Sequence, residues 1–185
     1  MFFKITIRFI IFFSFFFNLQ ASEKKLIIDQ LSEIENFSFT FKQITKEKTE
    51  TGNCLLKFDK KLKCSYNDKL QKEIIINNKT LVVWQKRYDK IYYYPVSKSP
   101  FLNILIKNKL IALIKKSNLI LNENIELVYI DQNQKMITVF FDKNNYELIG
   151  WLIEDEFQNE IYFSLKIKKI NTEIDKNYFK IPTVN

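Results

Sequence analysis

The sequence predicts a mainly β (α+β) fold: an antiparallel sheet of about ten strands, one face strongly aromatic, covered by three short apolar helices. Two observations carry this. Runs of strict alternation recur along the chain, as where Phe37, Phe39 and Phe41 alternate with Ser38, Thr40 and Lys42, which is the period of a half-buried strand. Three other segments repeat their apolar residues at steps of three and four instead, the spacing of a helix with one buried stripe.

The N-terminus comes before any of these elements. Lys4 and Arg8 precede an apolar run from Phe9 to Phe17, broken only by Ser14, and a small residue, Ala21, stands before Ser22. That order of charged, apolar and small residues is expected of a secretory leader over residues 1–21, leaving one domain over 22–185; an uncleaved N-terminal anchor is the alternative. The run is much shorter than the roughly 20 apolar residues that span a bilayer. The expected site of action is therefore outside the inner membrane. The formal charge of +8 drops to +6 when Lys4 and Arg8 leave with the leader. The remaining charge is almost all Lys, evenly spread, and fits a solvated basic surface, useful beside anionic headgroups, better than a nucleic-acid site.

Elements follow in order. Ile27, Leu31 and Ile34 form a helical stripe between Ser22 and Glu35, and the aromatic strand starts at Phe37. After a polar stretch from Thr45 to Thr51, Cys54, Leu56 and Phe58 share one face, as do Leu62, Cys64 and Tyr66 beyond a turn at Asp59 and Lys60. This reads as a β-hairpin. Closed symmetrically about Asp59, it sets Cys54 opposite Cys64. A disulfide suits an oxidising compartment, and two buried free thiols are the alternative.

Strand patterns return at Glu73–Ile76, Thr80–Gln85 and Lys90–Tyr94, with a turn at Asn77-Asn78 and a stop at Pro95. Ser99-Pro100 is a capping hydroxyl before a first-turn proline. The helix it opens carries Phe101, Leu102, Leu105 and Ile106, and a second runs from Leu110 to Ile114. Four strands close the chain, at Glu126–Ile130, Met136–Phe141, Leu148–Ile153 and Ile161–Ile167. Turn residues part them at Asp131–Asn133, Asp142–Asn145 and Gln158-Asn159.

The inventory of reactive groups argues against an enzyme. The chain has no histidine, only two glycines and two cysteines ten residues apart, so His-based triads, Gly-rich phosphate loops and the common zinc sets are all missing. Glu154, Asp155 and Glu156 could in principle pair as acid and base, but their place on a turn makes solvated charge the better reading. No cofactor or metal is expected. A sheet whose apolar face is covered by helices either packs solid or leaves a cavity for apolar ligand.

In order and spacing, several short motifs are similar to the LolA-type outer-membrane lipoprotein carriers. Phe39, Phe41 and Gln43 resemble that family's F-x-F-x-Q strand. Gly52-Asn53-Cys54-Leu55-Leu56-Lys57 resembles its G-x-L-x-L-K run, Leu62 to Tyr66 its L-R-W-x-Y strand, and Asn78-Lys79-Thr80-Leu81 its D-G-K-x-L turn. Ser99-Pro100-Phe101-Leu102 resembles its T-P-L-x-L-L helix, and Tyr178-Phe179-Lys180-Ile181-Pro182 its closing L-F-x-F-x-P.

The resemblance implies an incomplete antiparallel β-barrel of ten or eleven strands, with three lid helices enclosing a hydrophobic cavity. It implies a soluble monomeric carrier that takes acylated lipoproteins from an inner-membrane lipoprotein-releasing ABC transporter to an outer-membrane acceptor. A carrier of another lipid or glycolipid, and a structural or adaptor domain without ligand, are the alternatives. Phe39, Phe41, Leu56, Val83, Phe101, Leu102, Leu105 and Leu113 are the candidate cavity residues.

Two departures stand out. Phe58-Asp59 replaces the family's Arg-Pro at the hairpin tip, where the arginine helps to latch the lid. Cys64 replaces a tryptophan, which suggests a disulfide in place of an aromatic contact. The membrane-anchored receptor of this fold would need a lipidated cysteine where this chain has Ser22, so a shuttle is expected rather than a dock.

Overall fold

Where apolar and polar residues alternate, one side of a strand turns to a core, and eleven strands join here into one sheet. The computed structural model describes residues 21–58, 60–98, 102–131, 134–154 and 158–183. Outside them lie residues 1–20 of the expected leader, Asp59, the helix start at Ser99-Pro100-Phe101, part of the Asp131–Asn133 turn, and Asp155-Glu156. The backbone of Leu102 is described, but its side chain is not.

Residues 21–33 form helix α1. Six strands follow: β1 (Asn36–Thr45), β2 (Lys48–Lys57), β3 (Lys61–Tyr66), β4 (Lys72–Asn77), β5 (Thr80–Gln85) and β6 (Lys90–Pro95). Helices α2 (Leu102–Leu105) and α3 (Lys107–Lys116) come next. Then come β7 (Asn118–Leu121), β8 (Ile125–Ile130), β9 (Met136–Phe141), β10 (Leu148–Glu154) and β11 (Glu160–Ile170). The sheet order is β6-β5-β4-β3-β2-β1-β11-β10-β9-β8-β7. Every pairing is antiparallel. Two meanders thus meet where β1 pairs with β11, and the open edges, β6 and β7, are consecutive in the chain with α2 and α3 between them.

Sequence and structure differ in three places. The polar stretch Thr45–Thr51 is mostly strand, because β1 and β2 run on as a tight hairpin in which Lys46 takes φ 54°. Strand β7 has no alternation to betray it: Leu119, Ile120 and Leu121 are all apolar, and only Leu119 is buried. The last strand is longer than its alternating part, reaching Ile170.

Glycine is scarce, so the left-handed turn positions fall to other residues, among them Lys46, Lys60, Asn78, Gln134 and Gln158. Asn78 tolerates this region, and each of the others costs about 1–2 kcal/mol relative to glycine.

The core lies on the face shared by Phe37, Phe39 and Phe41. Helix α1 buries Ile27 and Leu31 in it, with Ile34 just past its end, at the steps the sequence shows, and α3 buries Leu110, Leu113 and Ile114. The two helices clasp each other at both ends. The Lys24 ammonium donates to the carbonyl of Ser117 (2.5 Å) just past α3, and the Lys107 ammonium to that of Ser32 (3.0 Å) at the end of α1. Each cation satisfies carbonyls that a helix end leaves without partners.

The opposite face is not uniformly wet. Register puts Leu55 across from Lys63, Lys63 across from Ile75, and Ile75 across from Val82, yet Leu55, Ile75 and Val82 are all buried. The C-terminal segment covers them: Phe179 is buried, its carbonyl accepts from the Asn77 amide (3.2 Å), and the Lys63 ammonium stands 5.4 Å from the Tyr178 ring. The closing aromatic pair is therefore an outer clamp on β2–β5.

Candidate functional site

The sheet curves enough for its two halves to share one apolar pocket. Its walls are Phe39, Leu56, Leu62, Cys64, Tyr66, Ile74, Ile76 and Leu81 from β1–β5, and Trp151 and Phe163 from β10 and β11. Ile104 and Leu105 of α2 form its roof. The register explains this set. Leu56, Leu62, Ile76 and Leu81 stand in one row across four strands, and Cys54, Cys64 and Ile74 in the next.

Aromatic rings close one side. Trp151 stacks on Phe163 with centroids 4.3 Å apart, Phe163 stacks on Phe41 at 4.9 Å, and Phe41 meets Tyr66 edge-on at 4.9 Å. A disulfide joins Cys54 to Cys64, with their Cα atoms 4.1 Å apart.

Of the residues expected in a cavity, Phe39, Leu56 and Leu105 are in these walls. Phe41 lies one ring behind them, against Phe163. Leu113 is buried in the core beneath α3, and Val83 is half-buried beside the open edge, across from Tyr92. Phe101 falls outside the described residues. Trp151, Phe163 and the row through Leu62 and Ile76 escaped sequence reasoning, although each sits in a run that reads as a strand, because a strand pattern does not say which distant strand lies opposite.

Polar groups gather where Tyr66 leaves the pocket. Its hydroxyl donates to Gln43 Oε1 (3.3 Å), and the Lys72 ammonium sits 3.7 Å over its ring. Lys72 also pairs with Glu50 at 2.6 Å, and Lys48 with the same carboxylate at 2.9 Å. Burial raises the pKa of the Tyr66 hydroxyl, and the nearby charges of Glu50 and Asp68 raise it further, so it remains a neutral donor. For Glu50, burial pushes the carboxyl upward, but hydrogen bonds and charge from Lys72 and Lys48 outweigh it, and the net shift is downward from 4.5.

A carboxyl with a lowered folded pKa contributes stability above its unfolded pKa and loses it as pH falls through the folded value. The urea midpoint of Glu50→Gln is therefore expected to lie below that of the parent at neutral pH and to converge with it in acid. Parallel curves across the acid range would disprove this role.

These walls contain no paired acid and base, and among the described residues no group of three or more His, Cys, Asp or Glu could hold a metal ion. What the site can do is accept apolar matter. The family model described as the outer membrane lipoprotein carrier protein LolA matches residues 32–182.

The chain belongs to the LolA family.

Solved structures share the fold at low identity. Lipoprotein LppX of Mycobacterium tuberculosis is 12% identical at a TM-score of 0.50, the match covering 85% of this chain and 98% of that one. LprF of Mycobacterium bovis is also 12% identical, with a TM-score of 0.50 over 84% and 95%. An uncharacterized conserved protein of Thermus thermophilus is 10% identical, with a TM-score of 0.53 over 88% and 94%. No curated protein matches the chain.

In this LolA-family chain the β2–β3 hairpin tip carries Phe58. Phe58 is buried, its ring 6.0 Å from that of Phe37 and 5.4 Å below the Lys107 ammonium. Its N–H donates to the Glu35 carbonyl (2.9 Å), and the Lys60 N–H donates to the carbonyl of Leu105 (3.3 Å) at the end of α2. The tip thus grips the α1–β1 connection and α2 by backbone hydrogen bonds and one aromatic plug. No helix among the described residues is long and apolar enough to cross a membrane.

Proposed function

We propose that this protein is a periplasmic carrier that takes the acyl chains of lipoproteins into the pocket roofed by α2 and moves them from the inner to the outer membrane. The observation that carries this reading is the pocket itself: its walls are aliphatic and aromatic, interrupted only by the Tyr66 hydroxyl, the Trp151 indole N–H and the disulfide, and its roof is a four-residue helix. In the family's terms, the sheet is an incomplete barrel and α1, α2 and α3 are its lid.

The pocket is closed in this state. Its volume is about 50 Å³, whereas ligand pockets usually hold roughly 300–1,000 Å³, so loading requires α2 to lift. Lifting exposes Ile104 and Leu105, at about 1.5–3 kcal/mol each. About eight methylenes buried at ~0.8 kcal/mol apiece would offset the larger total. A single lipoprotein chain is long enough for that, and the balance stays close enough for the cargo to leave again. An inner-membrane ABC transporter as donor and an outer-membrane acceptor as recipient are the partners this reading calls for.

Uptake of a fluorescent fatty-acid probe by the purified protein tests it, together with mass spectrometry of co-purified lipid. Leu105→Glu is expected to weaken uptake on the order of a hundredfold, because it places a charge in the apolar roof. Ile120→Glu, on the exposed side of β7, is expected to leave it unchanged. Absence of both probe uptake and bound lipid in the parent protein would overturn the carrier reading. If the bound lipid is a free lipid or glycolipid instead, the fold serves a different cargo.

A further inference from the structure

The edge strand β6 is unusual for its exposed rings. Sheet edges are commonly blunted by charge or proline, and β6 has Lys90 and Pro95 at its ends, yet Tyr92, Tyr93 and Tyr94 stand between them at 42%, 57% and 50% exposure. Tyr88, in the turn before the strand, is 58% exposed. Lys86 is paired with Glu73 at 2.6 Å, which leaves Arg87 and Lys90 as the basic flanks beside one acidic residue, Asp89, and Asp89 accepts a hydrogen bond from the Trp84 indole (3.3 Å).

We infer that this tyrosine edge with its basic flanks is a docking surface for an anionic phospholipid bilayer. Tyrosine combines an apolar ring with a hydroxyl that stays in water, which suits it to the headgroup level of a membrane. Arginine and lysine beside it are drawn to acidic headgroups. The geometry of the strand also disfavours a protein strand as occupant. The Val96 N–H donates inward to the Lys79 carbonyl (3.0 Å), so the alternate positions, Pro95 among them, face outward, and proline has no N–H to offer a partner strand.

The surface adjoins the pocket. Tyr94 lies directly across from Leu81, a pocket wall, and Tyr92 across from Val83 on the same face. Tyr93, across from Val82, stands on the other face of the strand, so the rings bracket the edge, and docking by them would bring the β6 side of the pocket to the lipid; this orientation alone rests on the carrier reading.

Flotation of the full protein with vesicles tests the surface. Binding is expected to vesicles of phosphatidylcholine mixed with phosphatidylglycerol, and to weaken with added salt. Phosphatidylcholine alone should bind much less. Arg87→Gln with Lys90→Gln should lower affinity about thirtyfold, at roughly 1 kcal/mol for each charge. Tyr92→Ser, Tyr93→Ser and Tyr94→Ser together should remove most of the remainder, and Tyr93→Ser alone serves if the triple variant melts early. Ile130→Ser with Met136→Ser, an exposed apolar pair at the β8–β9 hairpin, should bind as the parent does.

Parent protein that ignores anionic vesicles overturns the inference. So does equal loss in the Ile130/Met136 variant, or a tyrosine edge that proves to pair two copies in solution. Vesicle binding without fatty-acid uptake would leave this surface standing while removing the carrier reading.

Discussion

Gly52→Ala is expected to lower the melting temperature by about 6–12 °C, and Gly52→Val to prevent a stable fold. A Cβ at this position would lie 2.2 Å from the Ser65 carbonyl oxygen and 2.7 Å from the Phe41 ring. Neither neighbour can give way cheaply. The carbonyl belongs to the β2–β3 ladder, and the Phe41 ring is held between Tyr66 and Phe163. Register shows why glycine stands here: Phe41 and Tyr66 flank it on the two neighbouring strands, and their rings meet over the gap where its side chain would be. Overpacking of this kind typically costs about 1–3 kcal/mol. At the upper end, and roughly 2–4 °C per kcal/mol for a chain of this size, the shift is as stated. Thermal unfolding followed by circular dichroism checks it, and a change within about 2 °C, less than 1 kcal/mol by the same conversion, would mean that the ladder absorbs the methyl group. Because Phe163 is a pocket wall, the alanine variant should also weaken fatty-acid uptake.

Replacing both cysteines by alanine is expected to cost about 3 kcal/mol. The Cys54–Cys64 bridge closes a loop of sequence separation 10, for which the loss of chain entropy in the unfolded state comes to about 2.5–3 kcal/mol. Urea unfolding of the double variant against the oxidised parent measures the difference. The parent should resist alkylation until reductant is added and then take two labels. Labelling of both thiols without reductant, or a variant as stable as the parent, would sink this expectation. Cys64 is also a pocket wall, so the bridge stiffens the side of the pocket opposite α2, and its loss should raise the mobility of β2–β3 before it alters β8–β11.

The local pattern of the fold was largely legible in the residues. Alternation marked the aromatic β1, the hairpin that opposes Cys54 to Cys64, and β11, and apolar runs bounded by turn residues marked the strands around Ile75, Val82, Val139 and Trp151. Helical spacing marked the segments of α1 and α3. Strand β7 was missed because a run of three apolar residues directly after a helix has no period of its own. The LolA family was legible because its short motifs fall in order along the chain.

What sequence alone determined about this protein is therefore which residues turn together to one side, where the chain reverses, and the family to which that order belongs. These follow from interactions between near neighbours. Only tertiary structure decided which apolar side chains meet. It brought Trp151 and Phe163 to face Leu56 and Ile76, set Ile104 and Leu105 over them, left Phe41 one ring behind, and buried Ile75 and Val82 under the C-terminal segment. Those outcomes depend on how far the sheet curves and on what covers its second face. Alternation assigns a side chain to a face, but the curvature summed over eleven strands chooses its neighbours.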